Sequence, residues 1–138
     1  MQIPEGFDDL FADDTTGFLV LATSNGDDTV AVAPVWFLTD ERGLVFTSDD
    51  DSIKARNIRR QPEVAGSVLV EGEHARYVSV RGTVEELSVE TDDTVDLYRR
   101  LVRRYQDAPL LDPAPTGMAF FRLVPTRMRG YDYRDYQA

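Results

Sequence analysis

The sequence predicts a mainly antiparallel β domain, with six or seven short strands rolled into a small barrel and two or three helices inserted between them. Three observations carry this. Most apolar residues lie in short β-prone runs bounded by Gly, Asn, Asp or Pro. One long alternating run, residues 75–87, has Gly82 in its middle, which marks a bulge or a barrel corner. The apolar period becomes helical only at residues 5–14, 52–60 and 91–105. Closing such a sheet into a barrel removes exposed edges. At 138 residues and 42% apolar composition, the chain is one domain, 1–138, with a real core.

The elements follow in order. Phe7, Leu10 and Phe11 sit at helical spacing and predict a short amphipathic helix. Gly17–Ser24 (GFLVLATS) is the first strand, and Asn25-Gly26 then gives a hairpin signal. Residues 29–38 (TVAVAPVWFL) form the second strand, where Pro34 implies an edge or a bulge because it cannot donate to a ladder. Residues 44–48 (LVFTS) make a third strand and complete an expected meander. Asp51-Ser52 caps a helix to Arg60, which Pro62 closes. Residues 64–70 and 75–87 are the next two strands, with Gly72 and His74 in the turn between them. Thr91 or Asp92 caps the last helix. Its early aspartates and late arginines match the helix dipole, and Val95, Leu97, Leu101, Val102 and Tyr105 form its apolar stripe. Residues 107–116 hold three prolines and read as a surface loop. Residues 118–124 are strand six, and 127–133, after Pro125, a possible seventh.

Charge narrows the function. With 25 acidic against 15 basic residues the net charge is −10, which argues against nucleic-acid or anionic-membrane partners. Asp outnumbers Glu by 17 to 8 and Arg outnumbers Lys by 14 to 1. This reads as the surface of a halophile's protein, where salt screens the self-repulsion; an ordinary acidic protein from a GC-rich genome is the other reading. No cysteine is present and His74 is the single histidine, so thiol catalysis, Cys- or His-rich metal sites and most Ser–His triads are excluded. No apolar run reaches membrane-spanning length and no signal peptide is evident, so the expected compartment is the cytoplasm.

Dinucleotide, P-loop, zincin, EF-hand and nucleophile-elbow motifs are all absent. The acidic pairs are solvated surface in so acidic a chain. What remains is the junction from Phe46, Thr47 and Ser48 through Asp49–Asp51 into the helix carrying Ser52, Lys54, Arg56 and Asn57. A helix start offers free amides and a positive dipole end, which suits a phosphate. Ser52 adds a hydroxyl, Lys54 a charge and Asn57 an amide. The same residues also fit a plain capped surface helix. The only lysine of the chain lies there, whereas the Asp49–Asp51 run would repel a phosphate unless it points away.

The pieces LVLATSNG, VAVAPVWF, LVFTS, SIKARNIRRQP, YVSVRGTVEEL and FFRLVPTRMRG, spanning residues 17–130, resemble the split-barrel flavoprotein superfamily. That superfamily includes pyridoxamine 5′-phosphate oxidase and the flavin- and deazaflavin-dependent oxidoreductases. The resemblance implies a homodimer of six-stranded split barrels with two cofactor sites along the dimer interface. It implies that Ser52, Lys54 and Asn57 bind the cofactor phosphate. Backbone at Pro34, Val35, Trp36 and Phe37, and at Phe46, Thr47 and Ser48, would lie against the isoalloxazine. Tyr77, Arg81, Arg127, Tyr131 and Tyr133 are candidates to reach the partner's cofactor.

There are departures. The strand of residues 31–37 lacks the arginine of pyridoxamine phosphate oxidase, and residues 126–133 lack the histidine of its Arg-x-His motif. That activity is therefore not transferred. The chain looks closer to the short branch using flavin mononucleotide (FMN) or the 8-hydroxy-5-deazaflavin coenzyme. The expected function is an FMN-binding oxidoreductase passing hydride to a small molecule. The alternatives are a deazaflavin-dependent reductase, a non-enzymatic flavin carrier or sensor, and a dimer with a dead site. The long acidic tail of the deazaflavin coenzyme disfavours it on this surface unless the local groove is basic.

Overall fold

The structure, a computed structural model, describes residues 1–105 and 117–136. A 3-10 turn, Asp8–Leu10, precedes β1 (Gly17–Ser24), β2 (Val30–Val35), β3 (Leu38–Thr39) and β4 (Leu44–Asp49). Then follow α1 (Ile53–Arg60), β5 (Glu63–Val70), β6 (Glu73–Leu87), α2 (Asp92–Tyr105) and β7 (Met118–Asp132), and a last 3-10 turn, Arg134–Tyr136. The seven strands form one antiparallel sheet in the order β2-β1-β5-β6-β7-β4-β3.

That order forces the sheet to curl. β2 and β3 are its two edges, and only Trp36 and Phe37 separate them in the chain. Three residues span at most about 11 Å, whereas the edges of a flat seven-stranded sheet lie roughly 29 Å apart. The expected meander is kept across the curl: β1 pairs with β2, and β3, which continues the strand expected at residues 29–38, pairs with β4. β4 is also held by β7 on its other side. β2 and β3 are the single strand expected at residues 29–38, broken where the chain crosses from edge to edge. Counted as one, they bring the strands to six.

Further differences have local causes. β7 runs unbroken through Pro125, where two strands were expected. The ladder shifts there: Arg81 pairs with Arg127 and Gly82 with Pro125, leaving Thr126 as the extra residue of a bulge. A proline is tolerated at such a bulge, and Gly82 is required opposite it. A Cβ on Gly82 would lie 2.2 Å from the Val124 carbonyl oxygen. The N-terminal helix reduces to the 3-10 turn because the Thr15 hydroxyl bonds the Asp9 and Ala12 carbonyls, which a continuing helix would need. Phe7, Leu10 and Phe11 are still buried, in the main core with Leu19, Phe37, Phe46 and Phe121. His74 falls on β6 rather than in the turn. Residues 107–116 lie outside the described residues.

The two helices match their expected spans. Ser52 caps α1, its Oγ accepting from the Ala55 amide at 3.1 Å. Thr91 caps α2, its Oγ1 accepting from the Thr94 amide at 3.2 Å. α2 buries Leu101 in a second, smaller core with Leu38 and Val45, while Val95 and Leu97 of its expected stripe are only half-buried. Among the described residues, no helix is long and apolar enough to cross a membrane.

The buried Arg76 guanidinium ties the N-terminal segment to β6. It donates to Asp9 at 2.6 Å, to Glu73 at 2.8 Å and to the Gly6 carbonyl at 3.2 Å. Hydrogen bonds from Arg76 hold both carboxyls below their ordinary range. Lowered carboxyl pKa values stabilise the fold above the unfolded-state values near ~4, and that contribution disappears as pH falls through the folded-state values. Arg76→Gln should therefore lower stability at neutral pH and flatten the acid limb below about pH 4, read by urea unfolding across pH. Gly82→Ala should cost about 1–3 kcal/mol through overpacking against β7, read as a lower urea midpoint.

Candidate functional site

The sheet leaves two free edges. β2 pairs on one side only, with β1, and β4 beyond Val45 pairs only with β7, because β3 begins at Leu38, opposite Val45. The helix α1 bridges between these strands. Ser52 Oγ and Ser48 Oγ lie 2.5 Å apart and join its start to β4. Asn57 joins it to β1: its amide nitrogen donates to Thr23 Oγ1 at 3.0 Å and to Asn25 Oδ1 at 2.8 Å, and its carbonyl oxygen accepts from Arg60 at 2.9 Å.

This wiring sorts the expected phosphate ligands. Asn57 is 3% exposed and its amide is engaged within the chain. The Ser52 hydroxyl serves the cap and Ser48. Lys54 differs, since its side chain makes no hydrogen bond or ion pair with any described residue. It lines a pocket of about 230 Å³ with Leu21, Thr23, Ala31, Ala33 and Ile53. The first-turn amides of Ile53 and Lys54 have no carbonyl partner within the helix. Of the acidic run, Asp50 is drawn to Arg59, which also binds Glu86, so its charge is compensated away from Lys54.

The expected ring-contact residues lie around the crossing. The side chains of Val35, Phe37 and Phe46 are core, so only their backbone can face a ligand. Ser48 is buried and Thr47 half-buried. The Phe37 backbone is already held: the Tyr105 hydroxyl bonds both its amide and its carbonyl at 3.2 Å, and Arg104 donates to that carbonyl at 2.6 Å. The same hydroxyl donates to the Gly17 carbonyl. Trp36 is 46% exposed and stacks on Tyr105, with ring centroids 4.7 Å apart. Both border a pocket of about 360 Å³ with Gly17, Phe18, Pro34 and Glu71. Ala33 and Pro34, adjacent in β2, border one pocket each; neighbours on a strand face opposite sides, so the two pockets flank this edge strand. The sequence reading missed Tyr105 as the anchor of this slot. Its partners lie 68 and 88 residues away, beyond the reach of any local signal.

Cross-strand pairing also assembles an outer face. Val32, Ala22, Ala65, Arg81 and Arg127 are successive register partners across β2, β1, β5, β6 and β7. In the next row are Pro34, Val20, Ser67, Ser79 and Arg129. Tyr131 stacks on Tyr77 at 4.8 Å beside them. Thus Arg81, Arg127, Tyr77 and Tyr131 come together, about three strand spacings from Val32 for β6 and four for β7, roughly 14 and 19 Å along the sheet. Among the described residues no cluster of His, Asp and Glu could hold a metal ion.

Burial pushes the Tyr105 phenol above its ordinary pKa and keeps it a neutral donor. Tyr105→Phe should cost about 1–3 kcal/mol by leaving backbone groups unpaired, measured by chemical unfolding. The emission of Trp36, the only tryptophan, should change with it as the stack loosens.

Comparison with known proteins agrees with this fold. The family model described as pyridoxamine 5′-phosphate oxidase matches residues 5–132. Among solved structures, an F420 reductase is 34% identical, with a TM-score of 0.75 and coverage of 92% of this chain and 98% of its own. A conserved hypothetical protein from Mycobacterium tuberculosis is 21% identical, with a TM-score of 0.74, covering 99% of this chain and 89% of its own. HutZ, the heme storage protein from Vibrio cholerae, is 15% identical, with a TM-score of 0.72, covering 96% and 95%. The last two share the fold. No curated protein matches the chain. With a family match across nearly its whole length and a curled antiparallel sheet of the corresponding fold, the chain belongs to the pyridoxamine 5′-phosphate oxidase family.

Proposed function

We propose that this protein is an oxidoreductase that binds FMN or a deazaflavin coenzyme in the split between β2 and β4 and acts on a small molecule. The observation that carries this reading is Lys54. The one lysine of the chain has no ion-pair partner among the described residues and stands in the first turn of a capped helix, on the wall of a pocket at a free sheet edge. An ammonium there, with the open amides of Ile53 and Lys54, is chemically suited to a phosphate. Ser52 and Asn57 act by holding that helix end in place. FMN and the deazaflavin coenzyme both carry a phosphate beside a tricyclic ring. The 34% identity to an F420 reductase adds weight to the deazaflavin.

When bound, such a cofactor supplies the hydride chemistry. The chain's part is to grip the phosphate at Lys54, to present the backbone of Val35 and Trp36 towards the ring, and to flank the ring with the Trp36–Tyr105 stack. The departures from the oxidase motif argue against pyridoxamine phosphate as substrate.

The reading includes a homodimer. Val30, Val32, Trp36 and Ile53 are apolar and 46–64% exposed around the same edge. An exposed apolar patch beside a half-open groove fits cover by a second copy of the chain.

The first test is the absorbance spectrum of the purified protein, with the released chromophore identified by mass. The second is titration with FMN and with the deazaflavin coenzyme, followed through Trp36 emission. Lys54→Ala should raise Kd about tenfold, equivalent to about 1.4 kcal/mol. Equal affinity in variant and wild type would remove Lys54 from the site, and a colourless protein that binds neither cofactor would refute the reading.

A further inference from the structure

Among the described residues, seven arginines pair with carboxylates: Arg42, Arg59, Arg76, Arg99, Arg100, Arg122 and Arg134. Arg81, Arg127 and Arg129 pair with no carboxylate of a described residue, in a chain with 25 acidic side chains. These three share one patch. Arg81 is the direct cross-strand partner of Arg127, and Ser79 that of Arg129. Like charges placed directly opposite each other in a sheet are destabilising. The bulge at Thr126 fixes the arrangement, since the Thr126 hydroxyl donates to the Arg81 carbonyl at 3.2 Å. Bulges re-aim the side chains next to them. Between the three guanidinium groups lies a hollow of about 150 Å³, completed by Ser79 and Tyr131. Tyr131 lies under Arg129, 5.3 Å from ring centroid to guanidinium carbon.

We propose that Arg81, Arg127 and Arg129, with Ser79 and Tyr131, form a second anion site, which takes a ligand group bearing two or more negative charges as phosphate or carboxylates. Guanidinium forks are suited to either group. A multiply charged anion removes the repulsion between facing arginines, which no carboxylate among the described residues relieves. The site stands on its own residues and does not depend on a phosphate at Lys54. Its position does connect the two: Ala22 and Ala65, both small, lie between Val32 and Arg81 in the same cross-strand row. An extended ligand gripped at Lys54 can cross them, and so can a separate anionic substrate enter beside it.

The test uses citrate and inorganic pyrophosphate as probes, titrated calorimetrically at constant ionic strength. The variants are the triple Arg81→Gln/Arg127→Gln/Arg129→Gln, a charge-keeping triple with Lys at the same positions, and Lys54→Ala. The expected result is at least tenfold weaker probe binding in the Gln triple, with most affinity kept in the Lys triple and in Lys54→Ala. The deazaflavin coenzyme with and without its acidic tail then separates the sources. If the tail strengthens binding only when the arginines are present, the anion belongs to the cofactor. If the tail has no effect while the probes still need the arginines, it belongs to a substrate. Unchanged probe affinity in the Gln triple overturns the proposal. So does loss of dimer in that triple, by sedimentation, with probe binding intact, because the arginines would then be pairing with carboxylates of a second copy.

Discussion

Trp36 and Phe37 carry the chain from one edge of the sheet to the other, and the rest of the molecule is arranged around that crossing. Two residues cannot bridge the width of a flat sheet, so the sheet curls. A crossing chain also cannot pair in a ladder at the point where it crosses, so its backbone groups need other partners. Tyr105 and Arg104 provide them from α2, through one phenol and one guanidinium that converge on Phe37. The phenol reaches Gly17 as well, so the crossing is fastened to β1. Phe37 turns into the core while Trp36, its neighbour, turns out and stacks on the ring of the residue that holds the crossing. A structural knot and an exposed aromatic slot are thus two sides of one dipeptide.

The other end of the split follows the same economy of parts. Nothing in the sheet joins β4 to β1 directly, so α1 has to. Ser52 and Asn57 do this with hydrogen bonds, and among the described residues no buried side-chain nitrogen or oxygen is left without a partner. A helix fixed in that way presents the same first turn to the pocket in every molecule. Lys54 contributes charge to that turn without contributing to the fastening. In the proposed site, binding and positioning therefore fall to different residues of one short helix, although all three look alike as ligand candidates when only type and spacing are known.

Most strands were legible because their boundaries are set locally, by Asn25-Gly26, Gly43, Pro62 and Gly72. The bend at Gly82 was legible for the same reason: a glycine inside an alternating run has a local cause to be there, and a Cβ would collide with β7. What failed was decided at a distance. Residues 29–38 read as one continuous strand, yet the run divides between two edges, β2 on β1 and β3 on β4, and nothing local marks Trp36 and Phe37 as the crossing. Pro125 reads as a break until its partner across the bulge is known. The phosphate site divides likewise. Lys54 stood out because it is the only lysine, a property of composition. The engagement of Asn57 did not, because Thr23 lies 34 residues away. Arg127 and Arg129 show the period of two that puts them on one face of a strand, but Arg81 joins them only through the ladder.

Charge supplies the last link between fold and chemistry. With a net −10, any anion approaching this protein meets a repulsive field, weakened over a Debye length of about 8 Å at physiological salt. A site for an anion on such a surface has to be made locally, from cations that the protein's own carboxylates do not neutralise. Among the described residues, the first turn of α1 and the facing arginines of β6 and β7 are two places of that kind. The acidic excess elsewhere then has a consequence for selectivity. Anions are held off most of the surface, which would favour settling at the two proposed cationic sites. The contrast in potential between site and surroundings is larger than either site would create on a neutral protein.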